Sequence, residues 1–187
     1  MVGISGASGA PIAVSALRAL RAAHVPVALV LSRGGELVLR EEAHLDRSDL
    51  APLVETIYEE GDVAAPIASG SRPTRGMAVV PCSSNSLARI ALGLGETLLV
   101  RAAHVHLKER RKLVLVPRET PLSTIQLEHM ARLSELGVVI LDASPPYYLG
   151  FTTVAEATDF LAGKLLDQFG IPHRLYRGWK EEGGRSA

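Results

Sequence analysis

Short apolar runs and helix-period stripes alternate along this chain, and the alternation predicts most of its architecture. The clearest run is Leu113, Val114, Leu115 and Val116, preceded by Lys108, Glu109, Arg110 and Arg111 and followed by Pro117. An unbroken apolar run bounded in this way reads as a short strand buried on both faces. Comparable runs predict strands at 1–5, 26–31, 77–80 and 138–141. Between them, Ile12, Val14, Leu17 and Leu20 predict a helix over 11–23, and further helices are predicted over 36–42, 86–92, 96–107, 121–136 and 154–169. The polar stretch 46–60 carries another helical piece near 49–58. Pro121 is placed to open its helix, because proline is tolerated in a first turn. Strands alternating with helices predict an α/β fold, a three-layer sandwich around a mostly parallel central sheet. There is no repeat and no linker, so residues 1–187 read as a single domain. Its tail, from about 171, is polar and Gly-rich apart from Leu175, Tyr176 and Trp179.

Composition narrows the function classes. The chain is 47% hydrophobic but only 4% aromatic, so its core is mainly Ala, Val, Leu and Ile. Lysine plus arginine and aspartate plus glutamate number 20 each, which excludes a general basic field for nucleic acid. Near-zero charge with so much apolar residue also fits surface buried in a homo-oligomer. Cys82 is the sole cysteine, so an internal disulfide is ruled out and a reducing cytoplasm is the expected setting. No apolar run approaches the roughly 20 residues of a membrane span, and the N-terminus lacks the basic segment of a signal peptide.

Ligands of open α/β sheets bind at the carboxyl ends of the strands, so the loops there carry the candidate chemistry. The first loop, Gly6-Ala7-Ser8-Gly9-Ala10, departs from the dinucleotide fingerprint G-x-G-x-x-G. The second strand ends at Ser32 rather than at an acid for a ribose, and Arg33 gives NADP only a poor case. The backbone of Gly6, Ala7 and Ser8 can instead cradle a phosphate at a helix start; the plainer alternative is a tight strand-to-helix turn. Ser83, Ser84, Asn85 and Ser86 form a run of small donors, suited to capping a helix and to binding a phosphate or the polar edge of a flavin. Cys82 has no base partner in sequence and reads as an inert buried thiol. His104 and His106 point in different directions on one helix, and no other histidine has ligand spacing, so no metal is expected. Arg101 and Lys108 are two helical turns apart, hence on one face, while Arg118 and Glu119 project from a strand end. A phosphate held near apolar groups needs several donors. Arg101, Lys108 and Arg118 would supply them, with Ser69 or Ser71 of the small-residue loop Ala68-Ser69-Gly70-Ser71. Arg110 and Arg111 read as surface or subunit-contact charge.

The segments Gly3-Ile4-Ser5-Gly6-Ala7-Ser8-Gly9-Ala10, Ala68-Ser69-Gly70-Ser71, Pro81-Cys82-Ser83, Arg101-Ala102-Ala103, Leu107-Lys108-Glu109-Arg110-Arg111 and Pro145-Pro146-Tyr147-Tyr148 occur in one order with LVLVPRETPL at 113–122. Together they resemble the UbiX-type flavin prenyltransferases over nearly the whole chain, and 107–122 is the specific block. The resemblance implies a homo-oligomeric, Rossmann-like (flavodoxin-like) flavoprotein, dodecameric in the family. It implies transfer of a dimethylallyl group from dimethylallyl monophosphate to N5 and C6 of reduced FMN, without a metal. The product, prenylated FMN, serves UbiD-type decarboxylases. By position, Gly6, Ala7, Ser8, Ser32, Ser83, Ser84, Asn85, Ser86 and Arg118 match FMN contacts. Tyr148 and Lys164 match prenyl-phosphate contacts; Arg101 and Lys108, with Ser69 and Gly70, are expected near that phosphate. Glu42 and Glu119 match acids implicated in catalysis, and Trp179 an aromatic that closes over the site. On this reading 107–123 joins the two substrates: Lys108 at the leaving phosphate, Arg118 at the flavin, Glu119 between them. Pro11 and Val63 depart from many members and alter the expected shape of the prenyl pocket. Two other readings stand beside it. One is an FMN-dependent decarboxylase of peptidyl or pantothenoyl cysteine, whose Pro-x-Met-Asn segment is replaced here by Pro81-Cys82-Ser83-Ser84-Asn85. The other is a non-catalytic FMN-binding subunit of a decarboxylase, which would leave the basic set and Glu119 idle.

Overall fold

Both faces of each central strand are apolar, and a strand of that kind is stable only in a sheet covered on two sides. In the computed structural model, which describes residues 1–178, the strands are β1 (Val2–Ile4), β2 (Ala28–Leu31), β3 (Thr56–Glu59), β4 (Gly76–Cys82), β5 (Lys112–Pro117) and β6 (Val139–Ile140). They form one six-stranded parallel sheet in the order β3-β2-β1-β4-β5-β6. This is the doubly wound Rossmann order, whose switch point lies between β1 and β4. The helices are α1 (Ala10–Ala22), α2 (Arg33–Ala43), α3 (Arg47–Leu50), α4 (Ser84–Leu92), α5 (Leu98–Lys108), α6 (Thr124–Glu135) and α7 (Val154–Asp167).

Strand alternation sorts the core into two layers. Ala78 and Val80 of β4 and Val114 and Val116 of β5 meet residues of α1, α2 and α7. Met77 and Val79, with Leu113 and Leu115, meet residues of α4, α5 and α6 on the other side. Each fully buried leucine here, such as Leu115, contributes about 1.5–3 kcal/mol relative to exposure. The expected three-layer α/β sandwich is the fold observed.

Local expectations change in three places. The stretch expected to be helical near 49–58 is an α-helix only as α3; Pro52 follows, and the chain then runs into the edge strand β3. Thr56 and Glu59 of β3 are exposed, so its pattern is too polar to read as a strand. Pro121 lies outside the following helix. Instead Ser123 caps α6: its hydroxyl accepts from Gln126 N–H, and Gln126 Oε1 accepts from Ser123 N–H at 2.8 Å. Helix α2 starts at Arg33, three residues earlier than 36, because Ser32 caps it. The start of the tail packs back on α7: Ile171 is buried, and the Tyr176 ring lies 4.8 Å from that of Phe160. Trp179 falls outside the described residues. No helix among them is long and apolar enough to cross a membrane.

Candidate active site

Helices α1, α2 and α4 begin at the carboxyl edge of the sheet, and their unpaired first-turn N–H groups make it a natural anion-binding rim. Ser32 caps α2, accepting from Gly35 N–H at 3.0 Å. Ser83 caps α4, accepting from Ser86 N–H at 3.2 Å, and its hydroxyl donates to Ser86 Oγ at 3.0 Å. At α1 the acceptor comes from a distance: Glu42 Oε2 takes the N–H groups of Gly9 and Ala10 at 2.8 and 3.0 Å. Glu42, expected as a catalytic acid, therefore holds the first loop in place from the far end of α2.

Close backbone contact shapes the same rim. A Cβ on Gly6 would lie 2.9 Å from Gly34 Cα, so the first loop and the start of α2 can touch only as glycines. Ser5 ties β1 to β4 across the switch point. Its buried hydroxyl donates to Pro81 O at 2.9 Å and accepts from Ser83 N–H at 2.8 Å. Ser5 was expected only as the last residue of the first strand; a hydroxyl at the end of an otherwise apolar strand was the available signal. Gln126 was missed because the helix was expected to open at Pro121, which left it an unremarked interior position.

Next to this rim, Arg118 and Glu119 leave the end of β5. With Thr120, Pro121, Leu122, Asp142, Ala143 and Ser144 they line a cleft of about 270 Å³. Arg118 is exposed and makes no ion pair or hydrogen bond among the described residues. The Glu119 carboxylate accepts from Thr120 N–H at 3.3 Å and lies 3.5 Å from Ser84 Oγ. Asn85 turns its side-chain oxygen to Arg89 Nε at 3.1 Å. Tyr148, 64% exposed, follows β6 on a short turn, Tyr147–Leu149, beyond the same edge.

The remaining predicted residues lie elsewhere in the protomer. Lys108 ends α5, four residues before β5 begins, and therefore sits at the amino edge. There it pairs with Glu109, and this hydrogen-bonded ammonium holds the Glu109 carboxyl below its ordinary value. The loop of Ser69 and Gly70 is at the same edge, clamped by Arg111, which donates to Gly70 O at 2.6 Å and Arg72 O at 2.8 Å. Arg111 thus has a structural task rather than a purely surface one. β5 is six residues long, so roughly 20 Å of strand separates Lys108 from Arg118. Arg101 lies on the exposed side of α5, one turn from its start. Lys164 lies in the last turn of α7, 3.3 Å from Asp167 and over the Tyr176 ring at 5.8 Å. The structure brings together Gly6, Ala7, Ser8, Ser32, Ser83, Ser84, Asn85, Ser86, Arg118 and Glu119. It does not bring Lys108, Ser69, Gly70 or Lys164 to them within one chain.

Two buried titratable groups have packing roles, as the sequence suggests for Cys82. Cys82 is 1% exposed, and burial pushes its thiol up to about 12, so it is a packing residue. His106 is likewise buried; desolvation lowers it to about 4 and keeps the ring neutral. Its Nδ1 donates to Ala102 O at 2.7 Å, which leaves Nε2 to accept from Thr74 Oγ1 at 2.7 Å. Among the described residues no group of three or more His, Cys, Asp or Glu side chains is placed to hold a metal ion.

A doubly wound parallel sheet, with serine-capped helix starts and an uncommitted arginine at its carboxyl edge, defines a phosphate-binding α/β protein of the flavin-binding type. The sequence profile of the Flavoprotein family matches residues 1–165. The chain is 43% identical to the flavin prenyltransferase UbiX of Halalkalibacterium halodurans, an alignment covering 97% of this chain and 93% of that protein. Its fold matches a dodecameric FMN-dependent UbiX-like decarboxylase from Escherichia coli O157:H7 with a TM-score of 0.93, at 44% identity over 96% of this chain and 98% of that one. It matches AnUbiX (PadA1), solved with FMN and dimethylallyl pyrophosphate, with a TM-score of 0.89, at 39% identity over 96% and 97% of the two chains. The chain belongs to the UbiX flavin prenyltransferases, within the flavoprotein family.

Proposed function

We propose that this protein joins the dimethylallyl group of dimethylallyl monophosphate to N5 and C6 of reduced FMN, making prenylated FMN for a UbiD-type decarboxylase. The observation that carries the reading is the pair Arg118 and Glu119, a cation and a carboxylate side by side at the end of β5, next to the serine-capped start of α4. The rim fits a flavin phosphate. Helix N-termini supply N–H donors, Ser32 and Ser83 hold those turns in shape, and the Gly6–Gly34 contact keeps the loop clear of side chains. Gly6, Ala7, Ser8, Ser32, Ser83, Ser84, Asn85, Ser86 and Arg118 would hold FMN.

Reduced FMN supplies the nucleophilic positions; the protein supplies placement and charge. Tyr148 and Lys164 hold the prenyl phosphate, and Arg101 and Lys108 stabilise the charge that builds on the departing phosphate oxygens. The Tyr148 ring adds cation–π attraction of about 1–2 kcal/mol to positive charge developing on the allyl group. Glu42 is committed to the Gly9 and Ala10 N–H groups, so Glu119 takes the proton lost from C6. Because Lys108, Ser69, Gly70 and Lys164 lie towards the other edge, they act in the site of a neighbouring copy. That requires a homo-oligomer, and the dodecamer of the Escherichia coli relative is the assembly we adopt. Residues 1–187 serve as one flavoprotein domain, and the cytoplasm is its setting, in keeping with a lone buried thiol.

The test is to incubate the protein without oxygen with reduced FMN and dimethylallyl monophosphate, then analyse the flavin by mass spectrometry. A flavin heavier by one C5H8 unit supports the reading; unmodified flavin with both the monophosphate and the diphosphate overturns it. The Escherichia coli relative, a UbiX-like FMN-dependent decarboxylase, favours a second reading, direct decarboxylation on unmodified FMN. Carbon dioxide released from an acid substrate with FMN alone, and no heavier flavin, would select it.

A further inference from the structure

Helix α6 is capped by a local rule, yet its capping residue does something more at the flavin rim. Gln126 Oε1 accepts from Ser123 N–H at 2.8 Å. A backbone N–H can only donate, so this bond fixes which end of the amide is oxygen and which is nitrogen. The nitrogen end, Nε2, then lies 2.6 Å from Ser84 Oγ on the first residue of α4. An amide NH2 can only donate, so Ser84 Oγ must accept. Its own hydrogen is left to point elsewhere, and the acceptor in reach among the described residues is Glu119 Oε2 at 3.5 Å. The order runs one way, from Ser123 N–H through Gln126 and Ser84 to Glu119. The last contact is long, so it directs the hydroxyl rather than binding it tightly.

We infer that Gln126 is a positioning residue for the flavin site, acting through Ser84. It fixes the rotamer and hydrogen direction of that hydroxyl and so presents a lone pair, not a hydrogen, to whatever lies in front of Ser84. The inference rests on the proposed function, in which Ser84 touches the flavin and Glu119 takes a proton. Gln126 itself sits on α6, behind Ser84, and is assigned no contact with either substrate.

The test is a double-mutant cycle read on FMN binding by flavin fluorescence. Gln126→Met, close in size but unable to hydrogen-bond, should weaken FMN binding by about threefold to tenfold, the size of one lost hydrogen bond. In a Ser84→Ala background the same change should have no further effect, because the group through which Gln126 acts is gone. Ser123→Ala removes the other half of the α6 cap without touching Ser84, and should leave FMN affinity unchanged. With FMN saturating, Gln126→Met should lower kcat while leaving KM for dimethylallyl monophosphate unchanged. Additive effects of Gln126→Met and Ser84→Ala would overturn the inference, and so would a Ser123→Ala loss as large as that of Gln126→Met, which would make the role one of helix stability. An unaltered Gln126→Met protein overturns it too. If the unmutated protein binds no FMN or makes no heavier flavin, it is the proposed function that fails, and the inference falls with it.

Discussion

Replacing Glu42 separates a carboxylate that does chemistry from one that holds a helix. Its Oε2 accepts two backbone N–H groups, from Gly9 at 2.8 Å and Ala10 at 3.0 Å, and Gly9 has φ of 122°. A hydrogen bond to a charged group contributes about 1.5–3 kcal/mol, and loss of a helix cap costs about 1 kcal/mol. Both bonds share one oxygen on a half-buried side chain, and water replaces part of what is lost, so Glu42→Ala should cost about 2 kcal/mol rather than the sum of two bonds. For a chain of this length that lowers the melting midpoint by about 4–8 °C. Glu42→Gln keeps a neutral acceptor and should lose about half as much, as neutral hydrogen bonds are about half as strong. Thermal and urea unfolding should be run at one protein concentration, since association adds to apparent stability. Turnover should fall with the loss of loop order in Glu42→Ala and survive largely intact in Glu42→Gln. A Glu42→Gln protein with native stability and turnover reduced a hundredfold would refute the capping argument and return Glu42 to the reacting groups.

Other outcomes follow from the same geometry. Arg118→Ala should weaken FMN binding by about tenfold to a hundredfold, the worth of one charge-assisted hydrogen bond; flavin fluorescence titration checks this, and unchanged affinity contradicts the assigned contact. Lys108→Ala should bind FMN normally and fail to turn over, yet co-expression with Arg118→Ala should restore activity, because intact residues from different copies then meet in one site. No recovery in verified mixed assemblies would place Lys108 and Arg118 in the same copy's site. The unfolded chain protonates His106 near its ordinary 6.5 and the folded chain only near 4. Stability should therefore be complete above about pH 6.5 and fall as pH drops towards 4, by at most about 3 kcal/mol. His106→Gln should flatten that acid limb in urea denaturation; a limb of unchanged slope would show that other groups cause it.

The parts of this fold that could be read from sequence are those whose side chains alternate between two apolar layers. β4 and β5 announce themselves because both their faces are buried; β3 does not, because as an edge strand it leaves Thr56 and Glu59 in solvent. The start of α6 was misplaced because a proline is a permissive signal, whereas the reciprocal bonds of Ser123 and Gln126 are a binding one. At the site, the residues on the rim, from Gly6 to Arg118, were legible as loops that follow strands. The expectation that 107–123 unites both substrates fails within one chain for a reason present in the sequence itself: a six-residue strand places its two flanks at opposite edges. Ser5 was legible only as a hydroxyl ending an apolar strand and Gln126 not at all, since their importance lies in which distant atom each hydroxyl or amide reaches.

Helix α2 meets the first loop twice. Near its start Gly34 lies against Gly6, and near its end Glu42 holds Gly9 and Ala10. Those two anchor points are eight residues apart, about 12 Å of helix. A single rod thus splints both ends of the loop, and the loop cannot open without displacing the rod. The entropy of ordering it, about 1–2 kcal/mol per residue, is charged to folding and not to ligand capture, as in any preorganised receptor. Amide exchange at Gly9 and Ala10 should accordingly be as slow in the free protein as in the loaded one. Induced fit, where this protein uses it, belongs to the β5 and β6 side of the same edge, where Arg118 and Tyr148 stand exposed.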